Sequence, residues 1–208
     1  MSLEKLGTEV RRRQIAAAAL EALAAGGPKA LSVGAVARRV GLVPSAIYRH
    51  FRGKDEMTVA AIGLFRERIM ENIRAVREES PDALERLESV LNRHVRMIRD
   101  NIAMPRVVFS DSLAGGPAGA KKLVLGNIRL YLDGLADIIK EGQAAGTIRP
   151  ELAPETTAVM FLGLIMPAAI LWHLTEGGFD VTRHAARAWS TFRNAIAVNT
   201  SSQKRGGR

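Results

Sequence analysis

The chain has 208 residues, of which 47% are apolar, 25% charged and 5% aromatic. It contains no cysteine, which excludes a disulfide framework, a thiolate metal site and a cysteine nucleophile. The charge is uneven: residues 1–55 carry a net +6, residues 56–198 balance to 0, and 199–208 add +3, giving +9 overall. A neutral body with a basic N-terminal quarter points to a polyanionic partner for that quarter, nucleic acid ahead of membrane. The length suits one or two small domains with a real core, and the abundance of Ala and Leu with few aromatics favours helices. Met1–Arg13 is mixed and charged, not an apolar signal core, so a cytoplasmic location is the expectation.

In chain order, Ile15, Ala18, Ala19, Ala22 and Leu23 recur at helical spacing until Gly26-Gly27-Pro28 breaks the pattern. Ser32 suits the N-cap of a second helix carrying Ala35, Val36 and Val40, and Gly41 sits where a helix-ending glycine belongs. Pro44 suits the first turn of a third, short helix through Ile47, Tyr48 and Phe51. After Gly53, Asp55 opens a long helix with Val59, Ile62, Phe65, Ile69 and Ile73 on one side. Ser80-Pro81-Asp82 starts a fifth, carrying Leu84, Leu87, Leu91, Val95 and Ile98. A short helix is expected over Val107–Leu113 and a long one over Leu123–Ile139, with Leu125, Ile128, Leu132, Leu135 and Ile139 on its apolar face. Pro154 begins the next, to about Thr175, and Val181, Ala185, Trp189, Phe192 and Ile196 mark the last. The expectation is an all-α fold of about nine helices, with 200–208 a disordered basic tail.

Thr156–Leu174 carries no formal charge over 19 residues, long enough to span a bilayer. Pro167 lies inside it and its flanks, Glu151, Glu155 and Glu176, are acidic where a membrane span wants basic residues. A helix apolar all round is otherwise buried on every side. In so small a chain that places part of its surface against a second subunit. A homodimer is therefore expected, with no membrane partner, built on the helices near 154–175 and 181–198. Leu164, Ala168, Trp189 and Phe192 are its candidate contacts.

Residues 32–51 read as helix, glycine turn, helix in about twenty residues, the spacing of a helix-turn-helix. Ala37 is small where two helices cross, Gly41 permits the turn, and Val36, Val40, Leu42 and Ile47 supply the wedge between them. The outer side of the second helix then offers Pro44, Ser45, Ala46, Tyr48, Arg49 and His50. These are mostly short groups flanked by donors, which suits a helix lying in a major groove. The fuller string resembles the tetracycline-repressor (TetR/AcrR) family of one-component transcriptional regulators. The resemblance lies in Ile15-Ala16-x-Ala18-Ala19-Leu20, Gly27, Leu31-Ser32, Val36-Ala37, Val40-Gly41-Leu42 and Ile47-Tyr48-Arg49-His50-Phe51-x-x-Lys54.

That resemblance implies a DNA-binding head at 1–53 and a ligand-binding and dimerising helical body at 54–199. It implies phosphate contacts from Tyr48, His50, Lys54 and the Ser32 hydroxyl. Base reading falls to Pro44, Ser45, Ala46 and Arg49, of which Arg49 can bind guanine bidentately. Val43 stands where the family usually has a capping Ser or Thr, and Gly34 removes a base-contacting side chain that some members place there. Arg11, Arg12 and Arg13 are equally readable as contacts to phosphates or an adjacent minor groove and as a solvated first turn. For a small-molecule effector, the candidates are Phe65 and Ile69 on the fourth helix and His94, Met97 and Ile98 on the fifth. Met104, Val108 and Phe109 follow them, then Tyr131 and Leu135, then Phe161 and Leu164.

The expected partners are thus double-stranded operator DNA, a second copy and an effector; no cofactor and no metal is expected. Enzyme signatures are missing: there is no GxSxG, HExxH or GxGxxG, and His50, His94, His173 and His184 lack ligand spacing. Repression relieved by an apolar or amphipathic effector is the expected mode. The alternative is a sequence-tolerant architectural DNA binder whose body only dimerises.

Overall fold

The computed structural model describes residues 3–100 and 119–198, with side chains from 7 onward. Among these residues there are eight α-helices and no strand. They are α1 (Leu3–Gly26), α2 (Val33–Val40), α3 (Pro44–Ile47), α4 (Lys54–Glu79), α5 (Ala83–Arg99), α6 (Ala120–Ala144), α7 (Pro154–Leu174) and α8 (Val181–Ile196). The helix expected over 107–113 lies outside the described residues. The chain forms two compact units. One takes the chain up to Glu71 together with Met97–Arg129; the other takes Asn72–Arg96 and the chain from Leu130.

The core of the first unit mixes alanine with larger apolar side chains. Ile15, Ala19, Leu20 and Leu23 of α1 are buried with Leu31, Val36 and Ala37, and with Ile47 and Phe51. Met57, Ala61 and Ile62 of α4 and Ala120 and Val124 of α6 complete the same cluster. The packing does not stop at residue 53: the cluster takes buried residues from both sides of the expected 53/54 boundary. Alanine on one side of a crossing lets helix backbones approach closely, and each fully buried Leu, Ile or Phe contributes about 1.5–3 kcal/mol.

Helix α6 corrects the sequence reading at one position: Leu135 and Ile139 are buried as expected and Ile128 and Leu132 half-buried, whereas Leu125 is exposed. In that turn the buried positions are Val124 and Asn127, a polar residue that the apolar pattern passes over. Asn127 is satisfied there, because its Nδ2 donates to the Ile62 carbonyl at 3.2 Å. Gly142 and Gly146, at the end of this helix, do two different things. Gly142 is a contact point: a Cβ there would lie 2.6 Å from Ile148 Cδ1 and 2.7 Å from Ala83 Cβ. Gly146 ends the helix at φ 71°, a conformation that favours glycine.

In the second unit, α7 and α8 pair through aromatic rings. Phe161 meets Phe192 edge-on at 5.8 Å and Trp189 at 6.5 Å. The chain entering α7 and the end of α8 are tied by Arg149 N–H to the Ile196 carbonyl and Val198 N–H to the Thr147 carbonyl. Asp180 caps α8 by accepting from Arg183 N–H at 2.9 Å.

Helix α7 is long and apolar enough to cross a membrane, yet only 33% of its most apolar stretch is buried. Val159, Met160, Leu171 and Leu174 are exposed. Ala168, Trp189 and Phe192, expected as subunit contacts, are instead buried within their own chain, and Leu164 is half-buried. The spare apolar surface is therefore the stripe Val159, Met160, Gly163, Pro167, Leu171, Leu174, spaced at helical period on the outer side of α7.

Candidate nucleic-acid interface

The turn between α2 and α3 is set by local chemistry. Ser32, with extended backbone, accepts from Ala35 N–H on Oγ at 3.1 Å and so caps α2. Gly41 closes α2 at φ 68°, and Leu42 N–H returns to the Ala37 carbonyl at 2.9 Å, which folds the chain back sharply. Val43 caps α3 with no side-chain bond, and Pro44 supplies the preset φ of the first turn. Val36, Ala37 and Ile47 are buried between the helices, with Val40 and Leu42 half-buried beside them, as the wedge reading requires.

Helix α3 is shorter than expected. It ends at Ile47, and His50 and Phe51 N–H both turn back to the Ile47 carbonyl at 2.9 and 3.0 Å. Just beyond, Phe51 is buried at 1% exposure in the core. What remains on the surface is a compact block. Pro44, Ser45 and Arg49 are exposed, Tyr48 is 58% exposed, and Ala46 and His50 are half-buried. Lys54 is exposed at the first position of α4, and Ser32 is exposed at the start of α2.

The three arginines of α1 separate in role. Arg12 donates to the His50 carbonyl and, at 2.9 Å, to Glu56 Oε1, while its guanidinium lies over the Phe51 ring at 4.3 Å. Glu56 Oε2 also accepts from Arg52 N–H at 2.8 Å. The Arg52 N–H and then the Arg12 guanidinium hold the Glu56 carboxyl below its usual range. Arg13 pairs with Glu67 at 2.9 Å on the surface. Arg12 and Arg13 thus have partners within the chain, which the run of three like residues did not reveal.

The effector candidates fall in both units. Phe65 is half-buried and Ile69, Met97 and Ile98 are buried in the first; Tyr131, Leu135 and Phe161 are buried in the second. Met104, Val108 and Phe109 lie outside the described residues. Phe161 is engaged by Phe192 and Trp189 as described above. His94 and Tyr131 are brought together, with Nδ1 to Oη at 3.1 Å and the rings edge-to-face at 5.6 Å. Burial pushes the His94 imidazole down to about 4 and the Tyr131 phenol above its ordinary value, so both are neutral at pH 7.

This pair carries a pH dependence whose sign is fixed. Below about pH 6.5 the unfolded chain protonates His94, whereas the folded chain resists until about 4. Stability contributed by the neutral histidine is therefore full above pH 6.5 and is lost as the pH falls toward 4. Thermal denaturation from pH 7 to 4 is expected to show that loss, and His94→Gln is expected to flatten the same interval.

Comparison with known proteins gives the class. The sequence profile of the bacterial regulatory proteins, tetR family, matches residues 15–67, and that of the tetracyclin repressor-like C-terminal domain matches residues 80–196. The chain belongs to the TetR family: it is a DNA-binding transcriptional regulator and not an enzyme. The nucleoid occlusion factor SlmA of Marinomonas sp. (strain MWYL1) is 24% identical over 74% of this chain and 79% of its own length. A putative transcriptional regulator from Saccharomonospora viridis, solved with choline, superposes with a TM-score of 0.78 at 18% identity, covering 92% of this chain and all of the other. The regulator FadR of Bacillus subtilis, solved with stearoyl-CoA, gives 0.71 at 23% identity over 88% of this chain and 98% of its own.

Proposed function

We infer that the protein is a homodimeric regulator that reads a pseudo-palindromic operator through α3 and releases it when a small apolar or amphipathic effector binds its helical body. The observation that carries this is the surface block of exposed Tyr48, Arg49 and Lys54 with half-buried His50, held on a helix-turn-helix whose wedge buries Val36, Ala37 and Ile47. Division of labour follows the sequence expectation, with 1–53 as the reading head and 54–199 as the effector and dimer body. Arg49, the cation beside α3, reads a base; Ser45, Pro44 and Ala46 lie against the groove floor. Tyr48 and Ser32 donate hydroxyls to phosphates. His50 Nδ1 is buried without a partner, so Nε2 is the ring nitrogen left to donate to a phosphate. Lys54 adds its charge at a helix N-terminus, where anions are already favoured.

The effector site centres on His94 and Tyr131. A neutral hydrogen-bonding pair in an apolar body suits an uncharged polar group on an otherwise apolar ligand. The stearoyl-CoA and choline complexes of the structural neighbours support a ligand-binding body of this fold. Helices α4 and α6 each contribute residues to both compact units, so a shift at one end of either helix is carried covalently to the other. The cell interior, where DNA is met, is the expected location.

Operator titrations test the DNA reading. Lys54→Ala is expected to weaken all duplexes alike and to flatten the salt slope by about one unit, the signature of one lost phosphate contact. Arg49→Ala is expected to cost about 1–3 kcal/mol at one base pair and to relax the preference there. Uniform loss across operator variants in both proteins would remove Arg49 from base reading. The similarity to a nucleoid occlusion factor favours a second reading, in which the body chiefly dimerises a DNA-bound protein and no effector releases it.

A further inference from the structure

The reading surface is presented by a segment with little structure of its own. Between Ile47 and Lys54 the chain leaves one helix and enters another over six residues, and Tyr48, Arg49 and His50 all lie there. From the inside this segment is anchored by Phe51 alone among its side chains, at 1% exposure. Beyond the backbone bonds of His50 and Phe51 to Ile47, a further anchor comes from a distant helix. Arg12, 38 residues away on α1, reaches the His50 carbonyl with one guanidinium nitrogen and Glu56 with the other, and its guanidinium carbon lies over the Phe51 ring. Glu56 accepts from Arg52 N–H on its second oxygen, closing the ring from the far side. One planar guanidinium thus joins the last residue of the block, the buried anchor and the first turn of α4. A guanidinium has the fixed fork and flat face that this demands; an ammonium does not.

We propose that Arg12 is a positioning residue for DNA binding: with Glu56 it braces residues 48–54 in the conformation that reads DNA, and it makes no phosphate contact itself. This rests on the operator-reading function inferred above. It gives Arg12 a role apart from its neighbours in the run Arg11-Arg12-Arg13, since both of its terminal nitrogens already serve a carbonyl and a carboxylate. Arg12 lines an open groove of about 340 Å³ with Ala16, Leu64 and Glu67, so truncating it opens onto solvent and leaves no sealed void.

Two readouts test the brace, one without DNA. In hydrogen exchange of the free protein, Arg12→Ala and Glu56→Gln are expected to speed exchange of the amides of residues 50–57 at least tenfold, while the amides of α8 keep their wild-type rates. In titrations of a selected operator, Arg12→Ala is expected to bind at least tenfold more weakly with the wild-type salt slope, since no counterion-releasing contact is lost. Arg12→Lys is expected to restore part of the affinity, and Arg12→Ala with Glu56→Gln to be no worse than Arg12→Ala alone. Wild-type exchange at 50–57 in Arg12→Ala would overturn the brace. A salt slope shallower by about one unit, like that of Lys54→Ala, would overturn it in favour of a phosphate contact, and unchanged operator affinity would overturn its role in DNA binding. Loss of the operator reading itself would appear separately, as wild-type protein that does not distinguish operator from random duplex.

Discussion

Leu171→Asp is expected to yield a folded monomer that binds operator DNA at least about 100-fold more weakly than the parent. Leu171 sits on the exposed stripe of α7 with Val159, Met160, Gly163, Pro167 and Leu174, the last of these 75% exposed. Apolar area of this kind on a helix without a single formal charge from Thr156 to Leu174 has no reason to face water. Against a second copy around a two-fold axis, the same stripe meets itself, and one aspartate becomes two facing carboxylates in an apolar contact. The loss of DNA affinity follows from the loss of linkage. A dimer binds its second half-site at high effective concentration, a gain of about 10²–10⁴ that a monomer forfeits. Analytical ultracentrifugation at micromolar concentration checks the first part and operator titration the second. A Leu171→Asp protein that remains a dimer would move the interface elsewhere.

Phe161→Ala is expected to cost about 3–5 kcal/mol, a large share of the roughly 5–15 kcal/mol that holds a typical domain. Phe161 is fully buried and its ring is the hub of the α7–α8 pair, meeting both Phe192 and Trp189 edge-on. Removing it forfeits two aromatic contacts and leaves a void walled by those rings. The walls cannot collapse without shifting α8, whose C-terminal end is pinned by backbone hydrogen bonds on either side of Ile148. Urea denaturation checks this: the midpoint is expected to fall with the slope unchanged. Leu164→Ala, at a half-buried position on the same helix, is expected to cost markedly less.

What was legible in the sequence was what local chemistry decides. Ser32, Gly41 and Pro44 each announce a cap, a reversal and a first turn, and each does that in the fold. The apolar period placed the helices of the body and the wedge of the helix-turn-helix. The rest depends on partners distant in sequence. Nothing near Asn127 signals that its amide finds the Ile62 carbonyl, so the period of α6 was read through Leu125. Nothing near Gly142 says that Ile148 and Ala83 press against it. Three adjacent arginines look alike, yet Arg12 is committed to His50, Phe51 and Glu56. Trp189 and Phe192 are expected at the subunit contact because their helix follows the uncharged one, but Phe161 of α7 in the same chain packs against both rings. The residues proposed to read DNA stand out because they follow the family string, and Tyr48, Arg49 and Lys54 among them are exposed. The effector residues were not, because an apolar stripe looks the same whether it lines a core or a ligand site.

The central claim is that α3 and the segment after it read sequence, and selection from a randomised duplex pool tests it most directly. Wild-type protein is expected to enrich one pseudo-palindrome with half-sites about one helical turn apart, bound about 10³-fold or more tighter than random duplex at physiological salt. Enriched and random duplexes bound within tenfold of each other would contradict the account.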